Sequence, residues 1–456
     1  MVDMQTRAMT EGEPWKHILR FSLPVLAGSL LQQLYNTVDT IIVGNFSGQD
    51  PLSAVGTTGS FAFLFLAIAI GLSAGNGVVV AQHFGAKNEQ KVRENASTGM
   101  LFLMTVGCIC SVVGIISARP AFTYLLDVDK SILGLTLTYF RWYSVGLVFQ
   151  FGYNIFSAIL RAVGDSAATL YFLLISSVMN IGLDLLFVAV LGWGVAGAAI
   201  ATVISQAASF TAAYLYMYKR YPMFRFRLGD YKWDTELIKK TVQVGFPISL
   251  QLIIVSFGFT FIQRAVNGFG KVMTASFTVG QRIEMYLNLP CNAFQTTLAT
   301  YTGQNIGAGK PERIKKGVRQ TLVISLLMTL CICAVVYTFA DRLVMLFSLS
   351  DQAAEYCLAH LRAVAMINIV LTMYVPLFGV FQGTNHSGAP MIVATCALGT
   401  RVLVTYLFRY SPIFGYTIIW WNGIFGFGMG FIVTWSYYLS GRWQRGASLS
   451  DDGHKG

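Results

Sequence analysis

The sequence predicts an all-α polytopic membrane protein, with twelve transmembrane helices in two pseudo-symmetric six-helix bundles arranged as parallel repeats. Three observations predict it. Only 12% of the 456 residues are charged, about half the share of a soluble domain. Apolar runs of membrane length recur along the whole chain. A loop motif in the first half returns in the second.

The composition is 55% apolar with a mean hydropathy of +0.59. Charge-free stretches cover 51–82, 99–117, 144–160, 194–218, 241–263, 321–340, 363–382 and 411–441. Runs interrupted by one to three charges, near 21–44, 168–190, 274–304 and 388–408, raise the expected number of spans to twelve. At ~1.5 Å per residue each reaches across a ~30 Å hydrocarbon core. The polar start MVDMQTRAMTEGEPWKHILR runs directly into the first span, and no cleavable signal is expected there.

The repeat lies in the loops. GQNIGAGKPERIKKG (303–317) echoes AQHFGAKNEQKVREN (81–95), so Gln82 pairs with Gln304 at an offset of 222 residues. The same offset places NFSG (45–48) on NGFG (267–270). An even number of spans per half preserves orientation, so the two halves are parallel repeats. The expected organisation is a tail over 1–15, an N-lobe over 16–218, a linker over 219–240, a C-lobe over 241–441 and a tail over 442–456. Such a two-lobe design with a cleft suits alternating access.

The net charge of +11 might suggest nucleic acid, but its distribution follows the membrane instead. With the N-terminus inside, the cytoplasmic segments hold 22 of the 32 Lys and Arg, against six in the outer loops. This positive-inside bias places both termini in the cytoplasm. The basic loops have anionic lipid as partner, and no nucleic acid is expected. The seven cysteines are an odd number without ligand-like histidines, so neither a disulfide framework nor a metal site is expected. No GxxxxGK[ST] or HExxH is present. The lone GxSxG, 71–75, lies inside a span and reads as close small-residue helix packing. The chain is therefore not expected to be an enzyme, nor to need a cofactor.

Ionisable groups at membrane depth are costly and by default mark function. In span 1, Gln32, Tyr35, Asn36 and Asp39 fall at i, i+3, i+4 and i+7, a single polar stripe above Pro24. Span 4 supplies Asn154, span 5 supplies Asn180 and Asp184 one turn apart, and span 6 supplies Thr202. Asp39 and Asp184 both fall in the outer half of their spans. Two carboxylates close together in low dielectric hold a proton, or bind a small monovalent cation; a polar network that only pins helices is the structural alternative. Asp39 aligns with apolar Phe261 or Ile262 in the second half, so this cluster belongs to one lobe.

Span 8 carries Gln281, Glu284, Asn288, Asn292 and Gln295 on one face, with Pro290 as an expected bend. Such a face suits the wall of a water-filled cavity. Arg282 stands two residues from Glu284 and off its face. Arg141, Arg362 and Arg401 read as snorkelling or bracing residues, and His386 as a loop residue.

On the span 1 pattern LPVLAGSLLQQLYNTVDTIIVG, the QHFGAKN turn, Asn154 before LRAVGDS, Asn180-x-x-x-Asp184 and Thr202, the chain resembles the multidrug and toxic compound extrusion (MATE) family. The likeness is to its bacterial branch of DNA-damage-inducible and staphylococcal-type members. The resemblance implies a monomeric antiporter of the bacterial inner membrane that exports amphipathic, often cationic compounds in exchange for H⁺ or Na⁺. It implies ion coupling at Asp39, Asn154, Asn180, Asp184 and Thr202. A substrate cavity would use Gln32, Tyr35, Asn36, Arg282, Glu284 and Asn288, with Pro24 and Pro290 as hinges. Some relatives carry acidic residues in spans 7 and 10; this sequence has none there, which argues against a second sodium site in the C-lobe. The rival on the same fold is a lipid-linked precursor flippase, which favours a strongly basic cavity. A membrane-embedded transferase and a passive channel are the rivals from other classes.

Overall fold

The computed structural model describes residues 8–347 and 349–444. Thirteen α-helices account for most of them: α1 (Pro14–Ser47), α2 (Gln49–Gly85), α3 (Glu89–Pro120), α4 (Lys130–Ala162), α5 (Ser166–Asp184), α6 (Gly194–Arg220), α7 (Thr235–Asn267), α8 (Lys271–Gly307), α9 (Pro311–Met345), α10 (Asp351–Thr372), α11 (Val375–Gly383), α12 (Gly388–Phe408) and α13 (Ile418–Leu439). Among the described residues there is no strand. Among the described residues, ten segments are long and apolar enough to cross a membrane, with α10 and α11 forming one of them, 351–383. Helices α1 and α8 are as long, at 34 and 37 residues, and miss that apolarity because of their polar stripes. Counting both, the twelve segments are those that the apolar runs predict.

Side chains on loop residues start several helices. Asn88, Asp129, Asp165 and Ser350 each accept a backbone N–H from the first turn of the helix that follows, so donors that would otherwise lack a partner are satisfied. The repeat recurs in backbone detail. Helices α2 and α8 both have 37 residues and both follow a glycine at positive φ, Gly48 (93°) and Gly270 (95°). Each ends on the same turn: Ala86 N–H donates to Gln82 O and Ala308 N–H to Gln304 O, both at 3.0 Å. The next residue is left-handed in both, Lys87 at 57° and Gly309 at 67°. Glycine adopts that conformation freely, whereas lysine carries a steric cost there.

The residues divide into two compact units, and the division falls inside α1 and α7 rather than in a loop. The first unit holds 8–9 and Leu23–Leu250; the second holds 10–22 and 251–444 among the described residues. The first is built on a phenylalanine cluster. Phe61, Phe122 and Phe140 stack edge-on or tilted at 5.1–5.7 Å, with Phe65 beside them. Gly75 of α2 lies so close to α7 that a Cβ there would stand 2.7 Å from the Cα of Gly245. The small residues of 71–75 therefore serve helix packing, as their position in a span predicts. The second unit is built around Ile262, Val266, Phe277, Ile367, Leu398 and Trp420.

Segment 219–240 packs on the first unit rather than running free. Arg93 of α3 donates to the carbonyls of Met223 (2.7 Å) and Arg225 (3.0 Å) and pairs with Asp230. The Arg227 backbone N–H, and then the Arg93 guanidinium, hold the Asp230 carboxyl below the usual carboxylate range. A lowered carboxylate stabilises while ionised, so the tie persists at neutral pH and is lost as pH falls through that lowered value. Replacing Arg93 by Ala is expected to speed proteolysis at 219–240 severalfold at pH 7, while leaving the helical circular dichroism unchanged. At a pH acid enough to protonate Asp230, the difference between wild type and variant should narrow without vanishing, because the bonds to the Met223 and Arg225 carbonyls do not titrate. In the second unit, Lys310 donates to Thr10 O (3.0 Å), Arg313 to Gly12 O (2.9 Å), and Lys316 pairs with Glu13 at 3.0 Å. Of the tails expected at 1–15 and 442–456, the portions 1–7 and 445–456 lie outside the described residues.

Candidate functional site

In the first unit, α1 and α5 bring two carboxylates together. Asp39 is half-buried on α1, and Asn180 and Asp184 on α5 have no solvent exposure. The Asp39 and Asp184 carboxyls lie within electrostatic reach of each other, and no hydrogen bond joins them. Asp184 ends the α-helical part of its span, and the chain widens into a π-helical turn over Leu185–Val190. Such turns are rare and concentrate at functional sites. The Tyr35 hydroxyl lies near Thr202, whose own hydroxyl donates to Ala198 O at 3.0 Å. An apolar cluster that includes Ile42, Val43, Tyr139, Val188, Val195 and Ala199 is built in part from the residues that follow Asp39 and Asp184 along their spans.

Burial is costly for the polar atoms of this cluster. Both Asp184 oxygens, both polar atoms of the Asn180 amide and one oxygen of Asp39 are buried without a hydrogen-bond partner in the protein. Each costs about 1–3 kcal/mol when left so. A network built only to pin helices would satisfy its own members. Two carboxylates and an amide oxygen, with hydroxyls alongside, form a hard, all-oxygen donor set. It suits a shared proton or a small monovalent cation. Among the described residues, no group of three His, Cys, Asp or Glu side chains is close enough to hold a metal ion.

Of the five residues expected at the ion site, Asp39 and Asp184 lie within electrostatic reach of each other, Asn180 is one turn from Asp184 on α5, and Thr202 lies near Tyr35. Asn154 does not join them through any hydrogen bond: its amide donates to Gln150 O of its own helix at 2.8 Å. Two residues missed from sequence, Tyr139 and Tyr143 on α4, stand within electrostatic reach of the group. Their i, i+4 spacing in a span rich in aromatics was the available signal. Gln32 and Asn36 are exposed on the α1 stripe. Pro24 and Pro290 both lie inside helices that continue through them.

The second unit holds a different polar cluster. Glu284, expected on a cavity wall, is buried and faces His360 of α10, with Nε2–Oε2 at 3.7 Å. Arg401 of α12 lies within electrostatic reach of Glu284, and its Nε donates to Asn422 Oδ1 at 2.8 Å. The guanidinium also stacks on Phe259 and Phe427 at 5.4 and 5.0 Å, so it braces as expected. His360 had no sequence signal beyond being a lone imidazole in an apolar run. It fits because Gly280 of α8 has no side chain: a Cβ there would lie 2.7 Å from the ring. Arg282 is exposed, Asn288 is half-buried with its oxygen unpartnered, and Arg141 and Arg362 are exposed. His386 bonds Thr384 O within its loop.

Comparison with known proteins adds three findings. A family model described as MatE matches residues 24–186 and again 247–407. Curated relatives include the probable multidrug resistance protein YoeA of Bacillus subtilis, 26% identical over 448 residues and 95% of each chain. Another is the multidrug export protein MepA of Staphylococcus aureus, 23% identical over 424 residues, which are 92% of this chain and 93% of that one. Among solved structures, an outward-facing multidrug resistance MATE family transporter of the MOP superfamily is 26% identical with a TM-score of 0.88. The match covers 97% of this chain and 98% of that one. A MOP superfamily transporter from Pyrococcus furiosus, at 24% identity, TM-score 0.90 and 98% and 99% coverage, shares the fold. The family model matches twice, once on each sequence repeat, and together the two matches span well over half of the residues: this chain belongs to the MatE family.

Proposed function

We propose that the chain is a secondary antiporter that exports amphipathic, often cationic compounds by alternating access of its two lobes, driven by H⁺ or Na⁺ bound at Asp39 and Asp184. The observation that carries this reading is the carboxylate pair, whose buried oxygens have no partner in the protein, with an apolar cluster on the same spans. The printed names of the relatives, multidrug resistance and multidrug export, support the substrate class. The positive-inside pattern supports an inner-membrane protein with cytoplasmic termini, and the reading takes it as a monomer. A cation moving inward releases ~2.3 kcal/mol per charge per 100 mV, in addition to any concentration gradient. A flippase is disfavoured because Arg401, the one buried arginine among the described residues of the second unit, is committed to Asn422 and two phenylalanines.

Proteoliposomes loaded with a cationic dye and given a pH gradient or a Na⁺ gradient separately test the proposal. One of the two gradients alone is expected to raise the transport rate at least tenfold over the gradient-free rate. Equal rates with and without both gradients would rule out ion coupling.

A further inference from the structure

An open groove of about 350 Å³ runs along α9 in the second unit. Helix α9 presents one face to it: Lys315, Val318, Arg319, Leu322, Val323 and Leu326, at i, i+3, i+4, i+7, i+8 and i+11. The two cations stand at one end of this stripe, and the rest of it is aliphatic. From Lys315 to Leu326 the stripe is roughly 16 Å long at the helical rise. Trp435 and Tyr438 of α13 form the facing wall. The Trp435 indole donates to Met373 O at 3.1 Å, in the break between α10 and α11, which fixes that wall to the floor.

The charge of the groove selects its occupant. No carboxylate lines it. Arg319 makes no ion pair among the described residues, and Lys315 has only an exposed contact with Glu312 at 3.1 Å, a pairing of little strength. The neighbouring cations Arg313 and Lys316 are already engaged by the 10–13 segment. Two uncommitted cations above an aliphatic track repel a cationic amphiphile and attract an anionic one. Arginine and lysine bind phosphate oxygens, and basic pockets between membrane helices suit anionic headgroups. The aromatic wall is of the type found at headgroup level. Helix α9 is also the least buried of the ten apolar spans, so the track opens toward lipid.

We propose that this groove binds one anionic phospholipid, its phosphodiester between Lys315 and Arg319 and an acyl chain along Leu322, Val323 and Leu326. The full chain, delipidated in detergent, is titrated with phosphatidylglycerol, phosphatidylcholine or inorganic phosphate and read by native mass spectrometry. Wild type is expected to hold one phosphatidylglycerol about tenfold more tightly than phosphatidylcholine, a margin consistent with two basic side chains. The K315Q/R319Q variant should lose that margin, with its lipid-free melting temperature unchanged because both side chains are exposed. An L322S/L326S variant should weaken phosphatidylglycerol while keeping the headgroup preference. Two results overturn the proposal. One is an unchanged preference in K315Q/R319Q. The other is displacement of the lipid by millimolar inorganic phosphate, which would make the groove a site for free anions.

Discussion

Replacing Asp39 or Asp184 by Asn is expected to lower gradient-driven efflux at least a hundredfold in proteoliposomes, while purified protein keeps its melting temperature within a few degrees. The argument rests on what an amide retains and what it loses. Asparagine matches the volume of aspartate, so the cluster of Ile42, Val43, Val188 and Val195 stays packed. It carries no charge and takes up no proton at neutral pH. The pair can then neither share a proton nor balance a bound cation, and coupling disappears while binding of the transported compound need not. Stability should even rise slightly, because two acids with unpartnered buried oxygens become groups that are cheaper to bury. Glutamate at 184 provides the contrast. It retains the charge, but its extra methylene must be accommodated where the side chain has no exposure. Partial activity with a displaced ion preference is expected. Undiminished efflux in the Asp39→Asn/Asp184→Asn double variant would sink the assignment of the coupling site.

The carboxylate pair was legible because helical spacing and span order fix both face and depth. Asp39 closes an i, i+3, i+4, i+7 stripe, and Asp184 lies in the outer half of a span that runs in the same direction. Their proximity needed only that the two spans be neighbours. Asn154 entered as the polar residue of span 4, with no stripe or facing residue to fix its direction, and the structure shows an amide whose NH₂ donates to the carbonyl four residues back on its own helix. The break at Thr372–Val375 was hidden for a related reason. Hydropathy sees 363–382 as one charge-free run and is blind to backbone geometry, although Pro376 marks the restart of the helix. The repeat was legible down to the turn after α2 and α8, since a left-handed residue after a helix leaves a trace in sequence. The unit boundary was not, because nothing in composition signals that a continuous helix contributes its two ends to different packing units. Glu284 was read as a cavity wall from its polar face. Its burial depends on His360 and Arg401, which arrive from helices far along the chain.

That second cluster yields the other large effect, on stability rather than transport. Replacing Arg401 by Leu is expected to cost about 3–5 kcal/mol, the usual penalty for leaving the partner of a buried charge uncompensated. Leucine fits beside Phe259 and Phe427, so the loss is electrostatic rather than steric, although the cation–π contacts go as well. It also orphans the Asn422 oxygen, which now accepts from Arg401 Nε at 2.8 Å. His360 offers little rescue: its Nε2 stands 3.7 Å from Glu284, and Gly280 leaves the ring close against α8. Replacing Glu284 by Gln should cost less, because the guanidinium keeps Asn422 and both rings. The double variant E284Q/R401L therefore discriminates. If the acid and the base compensate each other, it should be more stable than R401L alone by about 2 kcal/mol, a coupling within the range of contacting pairs. Equilibrium unfolding in a mild detergent measures all four corners of the cycle. Additive losses would mean that Glu284 and Arg401 are held independently, by His360 on one side and Asn422 on the other.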